Sequence, residues 1–567
     1  MSIKSILSHV TAPLPQSKPL PGQVANAAGG HAYAISDRGR LERFLILGAD
    51  GGSYYASERA LTLDNAAVLT KLLAVDGVGV VDLIVEVSVA GRAPKNDPAI
   101  FALAVALKKG DLDTRRAAAL AVPKVCRTST HLFALVEAVK GLGGFGRITD
   151  RALERWYVDK SPAELALQLA KYQQRNGWSH KDVLRKAKPV PSSDLQKNLF
   201  AWAVGKPFSF ASSDGTEGKS GDGVSPFDNV DVVKGFELVK QTSSSAEVAS
   251  LITRYRLPRE VVPTEHLGST AVWASLLTQG HGMPLHALVR NLGKMTAIGL
   301  LAPLSSQTLR VVERLTDRGE LKAARVHPLQ LLVAARVYAQ GRGDKGSLTW
   351  TPVPAIVGAL EEAFHLAFAA VEPTGKRWLL GLDVSGSMGG GRVANSPLTP
   401  REAAAALALV TLGVEDQSHV VAFSASSVKG ASAAWSAHKA VTRYTSGNGI
   451  APLPFTKRTT LREAIAATSS LPFGATDCAL PMRYALALKI PVDVFVVLTD
   501  SETWAGDVHP TVALADYRKA MGIAAKLVVV GMVSNGFTIA DPNDAGMLDV
   551  VGFDSAVPAL MATFAQT

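Results

Sequence analysis

Three short segments of the chain place oxygen-bearing side chains directly after runs of apolar residues. The run WLLGLDV leads into Asp383, and Ser385 and Ser387 follow at alternate positions. The run DVFVVLTD ends at Asp500, and the loop FGATDC at 473–478 carries a further hydroxyl and a carboxylate. Carboxylates and hydroxyls are hard donors that suit Mg²⁺ or a related divalent ion. The sequence therefore predicts a metal site built from these segments.

Other interpretations of the same residues are less favoured. A strand-to-helix turn with a serine N-cap has similar spacing, but the donors at Thr476 and Asp500 lie on two further segments and favour the metal site. The chain has no second Asp two residues after Asp383, as a DxDx phosphatase would require, and no GxxxxGK[ST] phosphate-binding loop. A metal-dependent hydrolase lacks a visible general base beside the motif, so we predict no enzymatic activity.

A second segment concentrates positive charge. Residues 171–188 contain six Lys and Arg and a single acid, Asp182. Lys171 and Arg175 are four positions apart at the end of a predicted helix, so we expect them to share one face. Ser179, three residues before Asp182, predicts a capping box that opens a second helix.

The second helix of this segment should carry cations on one face and end before Pro189. Clustered cations beside a helix N-terminus are suited to phosphate groups. A solvated amphipathic face is the alternative, with Trp178 as a core anchor. The candidate RNA contacts are Lys171, Arg175, His180, Lys181, Arg185 and Lys188.

The segments that position these residues follow two patterns. From about residue 56 to 345, stretches such as HLFALVEAVKGLG repeat apolar residues at three- and four-residue spacing. Their succession predicts an antiparallel array of helices of the HEAT kind. After Pro373, short Val- and Leu-rich runs alternate with helical stretches, which predicts a mainly parallel α/β sheet. Ligands of such sheets bind at the carboxyl ends of the strands, where the oxygen donors lie.

The excess of positive charge is confined to the predicted helical part of the chain. Residues 1–370 carry 44 Lys and Arg against 33 Asp and Glu, whereas residues 371–567 carry 15 against 16. The excess is compatible with nucleic acid, an anionic membrane surface or solubility alone. A chain of 567 residues with 47% hydrophobic residues is globular, which argues against disordered and fibrous classes.

Membrane and secretory classes are not favoured. No stretch reaches the roughly 18 apolar residues of a spanning helix, and the first thirty residues lack the apolar core of a signal peptide. Two cysteines, Cys126 and Cys478, fit a reducing compartment and argue against a disulfide framework. We predict a cytoplasmic protein without a membrane partner.

Five long motifs have counterparts, in the same order, in one known family. They are FLILGADGGSYYASE at 44–58, KYQQRNGWSHKD at 171–182, RNLGKM at 290–295, VEPTGKRWLLGLDVSGSM at 371–388 and KLVVVGMVSNGFTIADPNDAGMLDVVGFD at 526–554. From about residue 20 to its end, the chain resembles the Ro autoantigens of the TROVE family. In addition, DVSGSM with the later GATD and LTDSE is similar to the metal-ion-dependent adhesion site (MIDAS) of von Willebrand A domains.

The resemblance implies a multidomain fold in which an all-α ring of HEAT-like repeats precedes an α/β, Rossmann-like von Willebrand A domain. It divides the chain into an N-terminal tail over 1–19, a TROVE domain over 20–370 and an A domain over 371–567. The A domain would hold Mg²⁺ or Mn²⁺, with an open position for an acidic group of a partner. The implied ligand positions are Asp383, Ser385, Ser387, Thr476 and Asp500.

The resemblance also implies a function. Ro proteins bind small noncoding Y RNAs on a basic outer surface and the single-stranded 3′ ends of misfolded noncoding RNAs in a central hole. It thus implies a monomeric ribonucleoprotein scaffold for RNA quality control or degradation. For a bacterial Ro ortholog, with which the Ala-rich composition is compatible, it implies a Y RNA that tethers the protein to polynucleotide phosphorylase or another 3′-to-5′ exoribonuclease. The alternative is a protein-interaction scaffold that acts mainly through the adhesion site.

Several positions depart from the family pattern. The family's Y-RNA contacts carry over to Lys171 and Arg175, but a third position, a histidine in vertebrate members, is Lys188 here. The positive charge is kept and the imidazole is lost. The Gly- and Ser-rich segment 205–227 and the segment GGGRVANSPLTPRE after the metal loop also differ from the pattern.

Overall fold

The computed structural model confirms a helical N-terminal region followed by an α/β sheet domain. The described residues are 14–48, 67–206, 230–278, 283–343, 347–367, 372–390, 392–393, 398–425, 449–471 and 474–567. The segment 207–229, which covers most of the predicted Gly- and Ser-rich loop, and the predicted domain boundary near 371 lie outside them. No helix within these ranges is both long and apolar enough to cross a membrane.

The N-terminal region consists of two short strands, a run of helices and one small hairpin. Its strands are β1 (Gln23–Ala25), β2 (His31–Ala34), β3 (Gln174–Arg175) and β4 (Trp178–Ser179). Its helices are α1 (Asp37–Leu47), α2 (Ala67–Ala90), α3 (Asp97–Lys109), α4 (Leu112–Val125), α5 (Ser129–Gly141), α6 (Arg147–Val158), α7 (Pro162–Lys171), α8 (His180–Ala187), α9 (Asp194–Ala203), α10 (Asp231–Val239), α11 (Ser245–Tyr255), α12 (Thr270–Thr278), α13 (Leu285–Ala297), α14 (Ser306–Thr316), α15 (Arg318–Ala324), α16 (Pro328–Ala339) and α17 (Pro354–Leu366).

Local sequence signals set many of these helix boundaries. α7 begins with a capping box in which Ser161 and Glu164 exchange side-chain and backbone hydrogen bonds, and Pro162 occupies the first turn. Asp111 caps the N-terminus of α4, since its carboxylate accepts from the Thr114 amide. Most of these helices are too short to be stable alone, so burial of their apolar faces against neighbouring helices supplies most of their stability.

The first and last parts of the helical region are in contact. The ring of His327, at the start of α16, is hydrogen-bonded to the backbone carbonyl of Arg92 at 3.0 Å. The Gln330 amide donates to the carbonyl of Pro94 at 2.6 Å. The helical array therefore closes on itself through the segment between α2 and α3.

The C-terminal domain is built on a six-stranded sheet in the order β11-β9-β8-β5-β6-β7. All neighbouring pairs are parallel except β6 and β7. The strands are β5 (Trp378–Asp383), β6 (Ser418–Phe423), β7 (Ile450–Leu453), β8 (Val494–Thr499), β9 (Lys526–Gly531) and β11 (Met547–Val551), with the short β10 (Phe537–Thr538) outside this sheet. The helices are α18 (Ser387–Gly390), α19 (Pro400–Val414), α20 (Leu461–Ser469), α21 (Leu480–Ala487), α22 (Pro510–Met521) and α23 (Val557–Gln566).

Both faces of this sheet are buried, as the continuous apolar runs predict. Every residue of β5 and of β8 is buried. On one face, Leu380 and Val496 belong to the same apolar core as the N-terminal helices. On the other face, Phe495 packs with residues of α21 and α22 in a second core. The sheet therefore holds its strand ends rigidly.

The N-terminal segment packs against the C-terminal domain, although 500 residues separate them in the chain. β2 pairs antiparallel with both β1 and β10 in a three-stranded sheet. Arg43 of α1 is buried and its guanidinium donates to both carboxylate oxygens of Asp549 at 2.8 and 2.7 Å. Residues 14–19, predicted to be part of a tail, include Gln16, which is fully buried.

Two further ion pairs join the helices to the C-terminal domain. The Arg92 guanidinium lies 2.7 Å from a carboxylate oxygen of Asp554. Arg336 of α16 lies 2.7 Å from Glu402 at the start of α19. Because Arg92 also provides the carbonyl that binds His327, the closure of the helical array and the docking of the sheet domain meet at one residue.

Candidate functional site

The first candidate site lies at the carboxyl edge of the large sheet. β5 and β8 are adjacent and parallel, so Asp383 at the end of β5 and Asp500 just after β8 emerge at the same edge. Ser385 and Ser387 follow Asp383 in the turn into α18, and all four side chains are buried. The buried apolar strands thus bring the predicted donors together at one edge.

Hydrogen bonds order the first of these loops. The Asp383 carboxylate accepts from the Ser385 backbone amide at 2.9 Å and from the Thr499 hydroxyl at 2.6 Å. The Ser385 and Ser387 hydroxyls lie 3.0 Å apart. A carboxylate and two hydroxyls are consequently held close together from a single turn.

The loop with Thr476 is fastened to both of the others. The Gly386 amide donates to the carbonyl of Gly474 at 3.3 Å, and the amide of Trp504 donates to the carbonyl of Thr476 at 3.1 Å. Thr476 is itself buried. The structure therefore brings all three predicted segments to the same edge of the sheet.

The two carboxylates of this site disfavour each other's charge. Burial and the negative charge of Asp383 raise the pKa of Asp500 to about 8. Burial likewise raises the pKa of Asp383. Arg401 offsets part of this charge, since its guanidinium donates to the carbonyls of Val384 and Ser385 at 2.7 and 3.0 Å. A bound divalent cation would offset the remainder.

The donor set fits a hard divalent ion. Asp500 Oδ2 is buried and has no hydrogen-bond partner among the described residues, which costs free energy of desolvation that a bound cation would offset. Among the described residues, no group of three or more His, Cys, Asp or Glu side chains could hold a metal ion by itself. An ion at this edge would therefore depend on hydroxyl and water oxygens beside two carboxylates, as Mg²⁺ accepts.

The second candidate site is the basic segment, which folds as α7, the β3–β4 hairpin and α8. α7 ends at Lys171, and Arg175 lies in the hairpin. The expectation that these two cations share a helical face is therefore wrong, because the chain turns away before Arg175. The predicted capping box is confirmed: Ser179 and Asp182 bond reciprocally at the start of α8.

The cap changes how this segment can hold a phosphate. An Asp182 oxygen accepts from the amide of Ser179 at 3.0 Å and also from its hydroxyl. The helix N-terminus is therefore occupied by the protein's own carboxylate. Any phosphate bound here would be held by the cationic side chains.

Exposure divides the candidate contacts into two groups. Arg175, Lys181, Arg185 and Lys188 are exposed and form no ion pair with a described residue. We call these four residues the α8 surface. The Lys171 side chain is only 15% exposed and lies 3.9 Å from Glu260, so less of its charge is available to a ligand.

His180 is not part of this surface. It is 3% exposed, its ring packs edge-on to Phe133, and its Nδ1 lies 2.8 Å from the Tyr157 hydroxyl. Burial lowers the pKa of His180 to about 3. A neutral, buried imidazole cannot contact RNA, so we remove His180 from the candidate contacts.

Comparison with known proteins identifies the family. A TROVE domain matches residues 24–336, and a Ro60 vWA domain matches residues 377–565. The chain belongs to the Ro60 family. RNA-binding protein RO60 of Deinococcus radiodurans is 42% identical over 552 residues, which cover 96% of this chain and 95% of that protein. RNA-binding protein RO60 of Caenorhabditis elegans is 36% identical, over 96% of this chain and 90% of that protein.

The fold of this chain also matches the solved structure of a relative. The crystal structure of the Deinococcus radiodurans RO (RSR) protein superposes with a TM-score of 0.66 at 41% identity, covering 94% of this chain and 99% of that chain. The two relatives bear the name of RNA-binding proteins and not of enzymes. Helix α17 falls between the two matched domains.

Sequence reasoning missed several residues that shape the two sites. Thr499, the last residue of β8, donates to the Asp383 carboxylate, but its place in an apolar run gave no sign of this role. Arg401 and Gln16 reach the A domain's metal loops from distant positions that carry no local signal. Beside the α8 surface, Trp178 packs edge-on to Phe145, with the Lys186 ammonium 4.8 Å from the Phe145 ring centroid.

Proposed function

We propose that this protein is an RNA-binding scaffold that holds a structured small RNA on its α8 surface. The proposal is supported by membership of the Ro60 family, whose relatives above are named RNA-binding proteins. The charge distribution points the same way, since the excess of Lys and Arg is confined to residues 1–370. Structured RNA presents closely spaced phosphates, which such a surface can neutralise.

The observation that carries this proposal is the group of four exposed cations without ion-pair partners. Lys181 and Arg185 are four positions apart on α8, so they project from one helical face. Lys188 caps the same helix, and Arg175 extends the charge onto the hairpin. Four exposed cations without an ion pair to a described residue, beside the single carboxylate of Asp182, favour an anionic partner over a purely solvated face.

A pair of matched variants tests the α8 surface. K181Q/R185Q removes one Lys and one Arg at i and i+4 from the surface. R318Q/K322Q removes the same charges, at the same spacing, from exposed positions of α15. We expect K181Q/R185Q to weaken a Y-like hairpin RNA about tenfold or more, because each charged contact contributes roughly 1.5–3 kcal/mol.

Salt dependence separates phosphate binding from loss of fold. The logarithm of affinity should fall linearly with the logarithm of salt concentration, with about 0.7–0.9 in slope for each phosphate neutralised. K181Q/R185Q should therefore have a slope lower by about 1.4–1.8 than the wild type. Equal losses in both double variants, or an unchanged slope, would show that RNA is not held by the α8 surface.

We propose a separate role for the A domain. Asp383, Ser385, Ser387, Thr476 and Asp500 would hold Mg²⁺, or Mn²⁺, at the MIDAS-like edge of the sheet. Such an ion can polarise and bind an acidic group of a partner at an open coordination position. This division leaves RNA to the basic helices and protein docking to the A domain, whose own balance is 15 basic against 16 acidic residues.

The finer assignments of the family follow as parts of the same proposal. The single-stranded 3′ ends of misfolded noncoding RNAs would enter the closed helical array, and a Y RNA would recruit polynucleotide phosphorylase or another 3′-to-5′ exoribonuclease. Both cysteines are unpaired and buried, which is compatible with a cytoplasmic site of action. RNA crosslinked in cells and sequenced would identify the bound species; recovery of mRNA fragments without small noncoding RNA would count against this role.

A further inference from the structure

A cavity of about 510 Å³ lies in the helical region and is distinct from the α8 surface and from the metal loops. It is bounded by α13, α16, the segment before α3 and the turn that precedes α17. Its volume is within the range of about 300–1,000 Å³ typical of small-molecule sites. Neither the α8 surface nor the metal loops contribute a lining residue.

The walls of this cavity are largely apolar, and the Lys and Arg side chains that line it are basic, beside the polar side chains of His286, Gln330 and Tyr338. Leu329, Val333 and Val337 of α16 form part of the apolar wall. Arg290 and Lys294 lie four positions apart on α13, so they share the face that lines the cavity. They form no ion pair with a described residue, and none of the described lining residues is acidic.

Lys95 adds a third positive charge from another segment of the chain. It precedes α3 and lines the same cavity, next to the Pro94 carbonyl that binds Gln330. Three cations around an apolar cavity repel one another unless an anion neutralises them. The charge pattern therefore predicts an anionic ligand with an apolar or aromatic body.

Trp350 gives the cavity a rigid aromatic wall. Its indole Nε1 donates to the Tyr338 carbonyl at 3.0 Å, and its ring stacks on Tyr338 with centroids 5.9 Å apart at 26°. Its backbone amide donates to the carbonyl of Gly341 at 2.9 Å. An aromatic ring fixed in this way is suited to contact a planar base.

Gly293 allows the Trp350 ring to approach α13 closely, because glycine has no side chain. A Cβ atom at this position would lie 2.7 Å from the nearest carbon of the Trp350 ring. Gly293 lies between Arg290 and Lys294 in the motif RNLGKM, so this one motif supplies two cations and the space for the aromatic ring. Neither the α8 surface nor the metal site accounts for this combination.

We propose that this cavity binds a single nucleotide, with the base beside Trp350 and the phosphate on Arg290 and Lys294. The ligand is a nucleoside monophosphate, either free or as the end of a single-stranded RNA. A free nucleotide goes beyond the RNA-scaffold function, because it needs neither the α8 surface nor the metal site. A strand end rests on that function and assigns its terminal nucleotide to this cavity.

Calorimetric titration of the full-length protein with UMP tests this assignment, with uridine and laurate as comparison ligands. We expect one UMP per chain, weaker binding of uridine because it lacks the phosphate, and no binding of laurate. R290Q/K294Q should weaken UMP about tenfold or more, whereas R318Q/K322Q, which removes the same charges from α15, should not. Binding of laurate in preference to UMP, or equal UMP affinity in both double variants, would overturn the proposal.

Gly293→Ala provides a second variant that leaves the charge unchanged. The added methyl group must displace Trp350, so UMP affinity should fall while the phosphate-binding cations remain. Unchanged UMP affinity in Gly293→Ala, with circular dichroism like that of the wild type, would contradict the position of the base.

A decamer of uridine distinguishes the two sources of the nucleotide. Competition between UMP and the decamer, together with weaker decamer binding by R290Q/K294Q, assigns the cavity to a strand end. UMP binding without such competition assigns it to a free nucleotide. If K181Q/R185Q leaves hairpin RNA unaffected while R290Q/K294Q weakens UMP, the scaffold proposal fails and the cavity proposal stands.

Discussion

The buried amide of Gln16 donates a hydrogen bond of 2.8 Å to the carboxylate of Asp477, which lies 461 positions later in the chain. The same amide donates to the Val508 carbonyl at 2.7 Å, and its oxygen accepts from the hydroxyl of Thr503. Asp477 directly follows the proposed ligand Thr476. One side chain of the N-terminal segment therefore ties two loops of the metal edge together.

Gln16→Ala should loosen these loops. The substitution removes three buried hydrogen bonds, and each buried group left without a partner costs about 1–3 kcal/mol. We expect faster amide hydrogen exchange across 474–508 and a lower thermal midpoint, with little change in the helices. Ser17→Ala, at an exposed neighbouring position, is the control. Equal exchange rates in both variants would show that Gln16 does not support the metal edge.

The features that the sequence predicted correctly are those with a local signal. The capping box at Ser179 and Asp182 depends on residues three apart, and the convergence of Asp383 and Asp500 follows from two adjacent buried strands. In each case the deciding physical constraint lies within one or two elements. The alternation of apolar runs and helical stretches likewise sufficed to predict the two fold classes.

The features that were missed depend on long-range packing or on very short elements. The role of Gln16 could not be predicted, because its partners lie more than 450 positions away. The hairpin that carries Arg175 has strands of two residues, too short for any periodicity. His180 lies within a cationic run and is nevertheless buried, since the Tyr157 hydroxyl and aromatic neighbours compensate its desolvation.

Burial of His180 predicts a dependence of stability on pH. Its pKa is about 3 in the folded protein because the ring is buried, whereas an unfolded histidine has a pKa near 6.5. Unfolding therefore takes up a proton, and stability is lost as the pH falls from about 6.5 towards 3. This residue should contribute a slope of up to about 1.4 kcal/mol per pH unit in that range.

His180→Gln tests this contribution, because glutamine keeps hydrogen-bonding capacity and does not titrate. Urea unfolding followed by circular dichroism at pH 7, 6 and 5 should give a flatter pH profile than the wild type. The profile should retain some slope, since burial also lowers the pKa values of His131 and His327 to about 4. Parallel profiles for wild type and variant would mean that His180 has the same pKa in the folded and the unfolded protein.

Arg175 and Lys171 should differ in their effects on RNA. Arg175 is exposed and unpaired among the described residues, whereas Lys171 is largely buried beside Glu260. Arg175→Gln should therefore weaken a Y-like hairpin several-fold more than Lys171→Gln. Affinities measured by filter binding at one salt concentration would suffice. A larger loss for Lys171→Gln would indicate that RNA binding displaces Glu260 and exposes the lysine.

Asp383→Asn should remove the metal while sparing the helical region. Asparagine has the same shape as aspartate, and its side-chain oxygen can still accept the hydrogen bond from the Ser385 amide. The substitution removes one of the two carboxylate charges that offset the dehydration of the ion. Loss of even an outer-shell partner costs roughly 10–100-fold in metal affinity, so we expect a loss of at least about a hundredfold. Metal content after dialysis against Mn²⁺ and hairpin affinity would be measured on the same preparation.

Asp493→Asn is the matched control for this prediction. Asp493 precedes β8 and pairs with Arg377 at 2.6 Å, at the end of the strands opposite to the metal edge. Asp493→Asn therefore removes one carboxylate charge from the same domain and should leave the bound metal in place. Because the α8 surface lies on the helical region, both variants should retain hairpin RNA. Equal metal loss in both variants would mean that the net charge of the domain, and not ligation by Asp383, holds the ion. Loss of hairpin RNA binding in Asp383→Asn alone would show that the metal site and the α8 surface are coupled.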